Sequence, residues 1–225
     1  MKKLFQLISK NCFRFQPKLP VVFKTFNQPL PIITISRERG SGGKVIANMI
    51  VKKLGQPWRI YHKEIINEIA KETHLEKELI NEVDEKRYRL VNKVIADTLG
   101  KNYLTLNSYY KHLLKILSTI GNRGYAVIVG RGVNFLSPSA LKVRIICSMD
   151  QRIKWMMEYE KMTKKQAITD IEESDKNREE FTKTLFKHNV RKAHHYDLVI
   201  RTGKDMDLED ATNIIVSLAK KRFKI

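Results

Sequence analysis

Five short apolar segments recur along this chain, separated by longer stretches that mix charged and apolar residues. The segments are Ile32–Ser36, Trp58–Tyr61, Tyr125–Val129, Val143–Cys147 and Leu198–Arg201. Three of them are near-continuous apolar runs rather than alternating ones, which is typical of parallel strands that are covered on both faces. Helical patterns fill the stretches between the segments. This alternation predicts a doubly wound α/β fold with a five-stranded sheet.

Helix signals and spacing refine this prediction. Helices are expected at Lys44–Leu54, at Asp207–Lys220 and after the two capping boxes that begin at Thr73 and Thr163. Residues 63–121 are helical throughout in pattern, which predicts an insertion closing over one side of the sheet. A second helical and highly charged stretch spans residues 150–196. Residues 1–30, with three prolines and no sustained period, are predicted to be a separate basic arm, and residues 31–225 the domain.

The sequence RERGSGGK, which begins at Arg37, has the order of elements that a phosphate cradle needs: a strand, a glycine-rich turn and a helix. It does not match the usual pattern G-x-x-x-x-G-K-[ST]. With Gly43-Lys44 at the G-K, Glu38 replaces the first glycine and Val45 the hydroxyl residue. A shift by one places Gly43 at the lysine position. Spacing alone therefore leaves two alternatives open, a nucleotide-binding loop and a structural turn.

Composition adds a bias toward anionic partners. The chain has 225 residues and a formal net charge of +19, and residues 1–30 contain six Lys or Arg and no acid. Such a balance favours nucleotides, nucleic acid or an acidic membrane surface, with an ordinary solvated surface as the alternative. No apolar run reaches the roughly 18 residues that a membrane span needs. The two cysteines have no metal-ligand or disulfide spacing, so a reducing, cytoplasmic location is predicted.

Several segments, in order, resemble the cytidylate kinase-like family, a branch of the P-loop nucleoside monophosphate kinases. The stretch from Ile33 to Ala47 resembles that family's pattern I-T-I-S-R-x-x-G-S-G-G-[RK]-x-I-A. Tyr61–Ile66 resembles Y-D-[KR]-E-[IL]-I with His62 in place of the acid, and Val127–Gly132 resembles V-I-V-G-R-[GCA]. Asp150–Arg152 resembles D-x-R, and Asp175–Arg178 resembles D-x-x-R. Tyr196–Thr202 resembles Y-D-L-V-I-N-T with Arg201 in place of Asn. The resemblance covers residues 32 to about 220.

This resemblance implies both a fold and an activity. The fold is the three-layer P-loop NTPase architecture, with a five-stranded parallel sheet, a helical monophosphate-binding insertion at 63–121 and a helical lid within 150–196. The activity is transfer of the γ-phosphoryl group of ATP to a nucleoside monophosphate, with cytidylate as the namesake acceptor and Mg²⁺ as the cofactor. The implied partners are therefore ATP and a nucleoside monophosphate.

Site residues follow from the matching motifs. Catalytic roles are implied for Lys44, Arg131 and Arg178. Arg131 also follows a central strand, where open α/β sheets bind ligands, and a guanidinium can hold phosphate oxygens bidentately. The residues implied to hold ATP are Ser36, Arg37, Gly40, Ser41, Gly42, Gly43, Lys44, Arg152 and Asp175. Asp175 is expected to orient Arg178 rather than to bind metal, and no set of metal ligands is predicted beyond a hydroxyl from Ser36 or Ser41.

A departure from the family pattern keeps alternatives open. Many cytidylate kinases have G-R-D where this chain has Gly130-Arg131-Gly132, so one expected contact to the monophosphate is missing here. Acceptors other than cytidylate therefore stay open. A nucleotide-binding protein without kinase activity is the second hypothesis. Nucleic-acid binding is favoured less, because no basic helix with interleaved aromatics is present. The pair His194-His195 is predicted to be a surface feature, since adjacent side chains point apart and no partner stands at ligand spacing.

Overall fold

The computed structural model describes residues 30–62 and 108–225; for residues 108–110 it describes the backbone alone. Within these residues the strands are β1 (Ile32–Arg37), β2 (Arg59–Tyr61), β3 (Ala126–Val129), β4 (Leu141–Cys147) and β5 (Leu198–Thr202). The helices are α1 (Gly43–Leu54), α2 (Ser108–Arg123), α3 (Val133–Leu136), α4 (Met149–Glu160), α5 (Lys164–Phe186) and α6 (Leu208–Phe223), with a 3-10 helix at Ala193–His195. All five predicted strands are confirmed, with ends shifted by one or two residues.

The strands form one parallel sheet in the order β2-β3-β1-β4-β5. β1 lies at its centre, where Ile33 pairs with Val127 of β3 on one side and with Leu141 of β4 on the other. Strands β2 and β3 lie on one side of β1 and strands β4 and β5 on the other, so the order of connection reverses at β1. At such a reversal of strand order a crevice opens beyond the carboxyl ends of the strands, and ligands of open α/β sheets bind there.

Helices cover both faces of the sheet. Ile33 and Ile35 of β1 face a core cluster that includes Ile46 of α1 and Ile215 of α6. Ile32, one residue earlier, faces the opposite cluster with α2, α3 and the end of α5. This alternation follows from the period of two in a strand, and burial on both sides explains why β3 has no polar position and why β1 is apolar except for Thr34 until its partly exposed end at Ser36 and Arg37. The predicted α/β layering is confirmed.

Helix α2 spans the end of the interval 63–121 and continues beyond it. Its side chains Leu113, Leu117 and Ile120 are fully buried in the core against the sheet. The last part of the interval predicted as an insertion is therefore one of the layers that cover the sheet, and it extends to Arg123. The capping box at Thr73 lies outside the described residues.

Helices α4 and α5 form a hairpin with an apolar cluster of its own, made of Ile153, Met156, Ala167 and Ile171. The predicted capping box at Thr163 is confirmed, since the Gln166 N–H donates to Thr163 Oγ1 at 3.3 Å and Gln166 Oε1 accepts from the Thr163 N–H at 2.9 Å. This hairpin is the part of residues 150–196 that stands over the carboxyl edge of the sheet. Among the described helices none is long and apolar enough to span a membrane.

Candidate functional site

The turn after β1 is held in place by buried hydrogen bonds. Ser41 is fully buried, and its hydroxyl donates to the Glu38 carbonyl at 2.8 Å. The Thr202 hydroxyl at the end of β5 donates to the Ser41 carbonyl at 2.9 Å. Gly40 and Gly42 have φ angles of +77° and +80°, which a residue with a Cβ adopts only with strain. The backbone of the turn is therefore fixed without a ligand, and the buried Ser41 side chain stabilises it through its hydrogen bond within the turn.

Helix α1 begins at this turn with an open amino end. Gly42 is its N-cap, the described residues provide no side-chain cap, and no acidic residue lies in the first turn. The first amides of a helix lack intrahelical acceptors and carry the positive end of the helix dipole, so they attract an anion. Lys44, in the first turn, is exposed. The sequence-predicted cradle thus has the backbone that phosphate binding needs.

Arg37 lies across this cradle. A Cβ placed on Gly43 would be 2.7 Å from Arg37 Cβ and 2.9 Å from its Cγ, so the arginine stem occupies the space above the first residue of α1. A Cβ on Gly130 would lie 3.1 Å from Arg37 Cζ, which places the guanidinium beside the turn that follows β3. One alignment with the G-K-[ST] pattern puts Gly43 at the lysine position. In that alignment, the volume where the lysine side chain would begin is occupied by the stem of Arg37, which comes from the preceding strand.

The turn after β3 brings Arg131 to the same edge of the sheet. Its backbone has a φ of +59°, and its guanidinium lies 5.3 Å from the centre of the Phe181 ring on α5. Gly132 has a φ of +67°, and a Cβ there would lie 2.7 Å from Phe186 Cδ2. The aspartate that many cytidylate kinases have at this position would have no room here, because Phe186 fills it.

Glu38 connects the turn to the neighbouring strand. Its carboxylate accepts from the Cys147 N–H at 3.1 Å and lies 3.6 Å from Arg144 Nη2. The side chain of Arg144 is only 7% exposed, so Glu38 supplies the carboxylate that compensates a buried charge. Arg144 also donates to Ser36 Oγ at 3.0 Å. Sequence reasoning had not assigned a role to Glu38 or Arg144.

We expect Glu38→Ala to lower the free energy of unfolding by about 2 kcal/mol, since it leaves Arg144 buried without its carboxylate. Chemical denaturation measures this directly. Glu160→Ala is the matched control, because it removes the carboxylate of a more exposed ion pair, with Arg39 at 2.6 Å, and should cost less than about 1 kcal/mol. Equal losses in the two variants would contradict the assignment.

A second carboxylate, Asp175 of α5, joins the helical hairpin to the turn. Its Oδ1 accepts from the Arg39 N–H at 2.7 Å and from Arg178 at 3.0 Å, and its Oδ2 accepts from Arg152 at 2.5 Å. Arg178 also donates to the Arg37 carbonyl at 3.5 Å. Burial lowers the pKa of the Arg178 guanidinium, and the nearby charge of Arg39 lowers it further, while Asp175 opposes this shift. Asp175 thus orients two arginines toward the turn.

Arg39 anchors the hairpin from the other side. Its guanidinium donates two hydrogen bonds to Glu160 at 2.9 and 2.6 Å and one to Asp170 at 2.5 Å. Partial burial lowers its pKa, but the two carboxylates together outweigh this effect and raise the pKa above its ordinary value. The role of Arg39 was missed because its partners come from α4 and α5, more than 120 positions away along the chain.

The predicted site residues therefore gather around one turn. The described contacts join Arg37, Arg152, Asp175 and Arg178 to it, and Arg131 lies at the next strand end. Ser36 contributes its hydroxyl to Arg144 and lies 3.2 Å from the Tyr196 hydroxyl, so it belongs to the framework of the site. Gly40, Gly42 and Gly43 form the turn and the helix start. Lys44 is the most exposed of the predicted cations at the turn itself.

The sequence matches the profile of the cytidylate kinase-like family over residues 32–204. The chain belongs to the cytidylate kinase-like family. The match includes the turn after β1, the helical hairpin and all five strands of the sheet. Membership of this family indicates a function of the nucleotide-kinase type.

Two solved structures are similar to this cytidylate kinase-like protein. An uncharacterized protein from Eubacterium ventriosum is 22% identical, with a TM-score of 0.58 over 86% of this chain and 99% of that one. A Thermus thermophilus protein, TT1252, is 17% identical, with a TM-score of 0.46 over 85% of this chain and 98% of that one. The first of these likenesses supports the fold alone. No curated protein matches the sequence significantly.

Kinases of this type use magnesium, and the described residues do not fit a protein-held Mg²⁺ at the turn. Mg²⁺ prefers carboxylate, hydroxyl and water oxygens. Here the Glu38 carboxylate is engaged by Arg144 and a backbone N–H, and the Ser41 hydroxyl is turned into the protein. Among the described residues no cluster of three or more His, Cys, Asp or Glu could hold a metal ion. A magnesium ion would take its ligands mainly from the nucleotide and water.

Proposed function

We propose that this cytidylate kinase-like protein transfers the γ-phosphoryl group of ATP to a nucleoside monophosphate. The observation that carries the proposal is the gathering of arginines at the carboxyl edge of the sheet: Arg37, Arg152 and Arg178 at the turn before α1, and Arg131 at the end of the neighbouring strand β3. Phosphoryl transfer consists mostly of positioning and charge neutralisation, so it needs cations that approach from several directions.

In this proposal the turn and the first amides of α1 bind the phosphates of ATP. Arg37 lies over Gly43 and reaches Gly130, so it supplies a positive charge between the turn and the strand end where the acceptor arrives. A phosphate oxygen of the acceptor forms a bond to the γ-phosphorus while the bond between that phosphorus and the β–γ bridging oxygen breaks. ADP and a nucleoside diphosphate leave. The chain stabilises the charge that develops on the transferred oxygens.

The helical hairpin supplies the remaining charge. Arg152 and Arg178 are held by Asp175, which itself accepts from the Arg39 N–H, so this carboxylate connects both arginines to the turn. Positioned arginines of this kind need no reorganisation at the moment of reaction. Arg131, with its backbone in the left-handed region after the neighbouring strand β3, has its guanidinium 5.3 Å from the Phe181 ring of α5, at the same edge of the sheet.

The test is a panel of nucleoside monophosphates incubated with ATP and magnesium, with diphosphate products separated by chromatography. We expect one acceptor to give magnesium-dependent turnover, and Arg131→Met to lower its kcat/KM about 100-fold or more. Arg201→Met, which removes an exposed arginine from β5, is the matched control and should retain activity. Equal loss in both variants, with both folded, would contradict the role of Arg131.

A second candidate function is nucleotide binding without transfer. It is favoured by one observation: Glu38 and Asp175 already engage Arg144, Arg152 and Arg178, so the chain's own carboxylates satisfy much of the positive charge at the turn. Stabilisation by ATP in a thermal melt, together with no turnover on any acceptor of the panel, would support this candidate over the kinase.

A further inference from the structure

The amino edge of the sheet, opposite the candidate nucleotide site, gathers the ends of two helices. Helices α1 and α6 each follow a strand of the parallel sheet, so both run back from its carboxyl edge and end at its amino edge. The Phe223 ring in the last turn of α6 is centred 6.4 Å from the Trp58 ring. The Trp58 N–H in turn donates to the carbonyl of Gly55, the C-cap of α1, at 3.0 Å. The two helix ends therefore lie side by side.

Both helix ends carry exposed cations that no carboxylate compensates. Two cations of this region do have acidic partners, since Lys53 pairs with Glu209 and Arg222 pairs with Asp197 at 2.8 Å. Four further lysines at the two helix ends are exposed and contact no carboxylate among the described residues: Lys52, Lys220, Lys221 and Lys224. We refer to these four as the amino-edge lysines.

Stabilisation of the helix ends accounts for only part of this charge. Cations in the last turn of a helix interact favourably with its dipole, an effect that fades beyond that turn. Here the cations of two helices gather in one place, where they repel one another. Acids lie instead at the opposite end of α6, in its first turn and just before it: Asp205, Asp207, Glu209 and Asp210. Charge is thus separated along α6, and the amino edge is left positive for an anionic partner.

The predicted basic arm joins the domain at this same edge. β1 begins at Ile32, and Leu30 packs against Gly124, which lies just before β3. Residues 1–29 lie outside the described residues, but their sequence contains six Lys or Arg, no acid and five of the nine phenylalanines of the chain. Cations interleaved with aromatic and aliphatic residues favour an acidic lipid surface, which offers both charge attraction and burial of apolar groups. A nucleic acid attracts the cations and stacks on aromatic rings, but it gives no partner to the aliphatic residues.

We propose that the amino edge docks on an anionic lipid surface, with the amino-edge lysines facing the headgroups. The potential of an acidic membrane falls off within about a Debye length, so it acts on cations that stand exposed at the contact itself, as these four do. Charge alone binds reversibly, and an apolar segment beside it is the second signal that stable attachment needs. The candidate nucleotide site lies at the carboxyl edge, so it faces away from such a surface and stays open. The inference does not rest on the proposed function.

The experiment sediments the full-length protein with lipid vesicles at about 0.15 M salt, where long-range charge attraction is screened. Vesicles of phosphatidylcholine with phosphatidylserine are compared with vesicles of phosphatidylcholine alone. We expect binding to the anionic vesicles and much weaker binding to the neutral ones, because the lysines attract only anionic headgroups. Equal binding to both vesicles, or binding to neither, would overturn the proposal. A random single-stranded oligonucleotide that binds more tightly and releases the protein from the vesicles would also overturn it, and would identify nucleic acid as the partner.

Two variants that lose the same net charge locate the contact. The first combines the four changes Lys52→Gln, Lys220→Gln, Lys221→Gln and Lys224→Gln. The control changes four exposed lysines of α4 and α5 to glutamine: Lys154, Lys164, Lys165 and Lys176. All eight positions are exposed, so both variants should keep the circular dichroism spectrum of the unchanged protein.

We expect the first variant to bind the anionic vesicles about 100-fold more weakly, since one cation near the membrane surface contributes roughly fivefold. The control should bind nearly as well as the unchanged protein, because its substitutions lie on the helical hairpin over the carboxyl edge. Equal losses in the two variants would overturn the proposal, since binding would then follow the net charge rather than the amino edge.

Discussion

We expect Arg37→Met to lower kcat/KM for the proposed phosphoryl transfer about 100- to 1,000-fold, the range seen when one preorganised electrostatic group is removed from an active site. The reason is spatial. The Arg37 stem occupies the volume above Gly43, where a phosphate-binding lysine would otherwise emerge, and its guanidinium reaches Gly130 at the next strand end. Steady-state kinetics with the acceptor identified in the panel measure the loss, and calorimetry should find weaker ATP binding in parallel.

The variant Lys44→Met is the control for this prediction. Lys44 stands in the first turn of α1 with its side chain exposed, so its charge is screened by solvent and its removal should cost no more than about tenfold. Both variants remain folded by circular dichroism if the interpretation holds, because neither residue belongs to the apolar core. A large loss of kcat/KM for Lys44→Met together with a small one for Arg37→Met would contradict the role of Arg37 and assign phosphate binding to Lys44 instead.

We expect Gly132→Ala to destabilise the protein by about 2–5 kcal/mol, the sum of about 1–2 kcal/mol of backbone strain and about 1–3 kcal/mol of overpacking. Gly132 is buried with a φ of +67°, and a Cβ there would lie 2.7 Å from Phe186 Cδ2 and 3.0 Å from its Cζ. An aromatic ring packed in the core cannot move aside as a flexible chain end can. Denaturant unfolding followed by fluorescence measures the change.

Two controls separate the strain from the clash. Gly55→Ala meets no atom within 4 Å, so its cost is backbone strain alone; at φ +68° and ψ −164° this strain is about 1–3 kcal/mol. The double variant with Phe186→Ala should be less destabilised than the sum of its single variants by about 1–3 kcal/mol, because the smaller residue removes the clash. Strict additivity would mean that Phe186 is not what excludes a side chain at position 132.

This packing also bears on the acceptor. The G-R-D element of better-known cytidylate kinases cannot form here with its aspartate in place, since Phe186 of α5 holds that volume. The acceptor contact made by such an aspartate must therefore come from another residue or be absent. That is a reason for testing a panel of monophosphates rather than cytidylate alone.

The sequence by itself was sufficient to locate the five strands, because short apolar segments that alternate with charged helical stretches, three of them near-continuous, are typical of buried parallel strands. It also located the turn after β1, since glycines at fixed places between a strand and a helix report backbone angles that do not depend on distant residues. The capping box at Thr163 was recognisable for the same reason: its hydrogen bonds join residues three positions apart.

Tertiary structure alone decided which side chains serve the turn. Glu38 and Arg39 stood in the quoted motif, yet their partners Arg144, Glu160 and Asp170 follow more than a hundred positions later, on elements whose order in space no local pattern encodes. The position of the Arg37 stem above Gly43 likewise depends on packing that the local pattern does not encode. Local backbone preferences specify elements and turns, whereas charge pairing and steric exclusion depend on how the strands are ordered in the sheet.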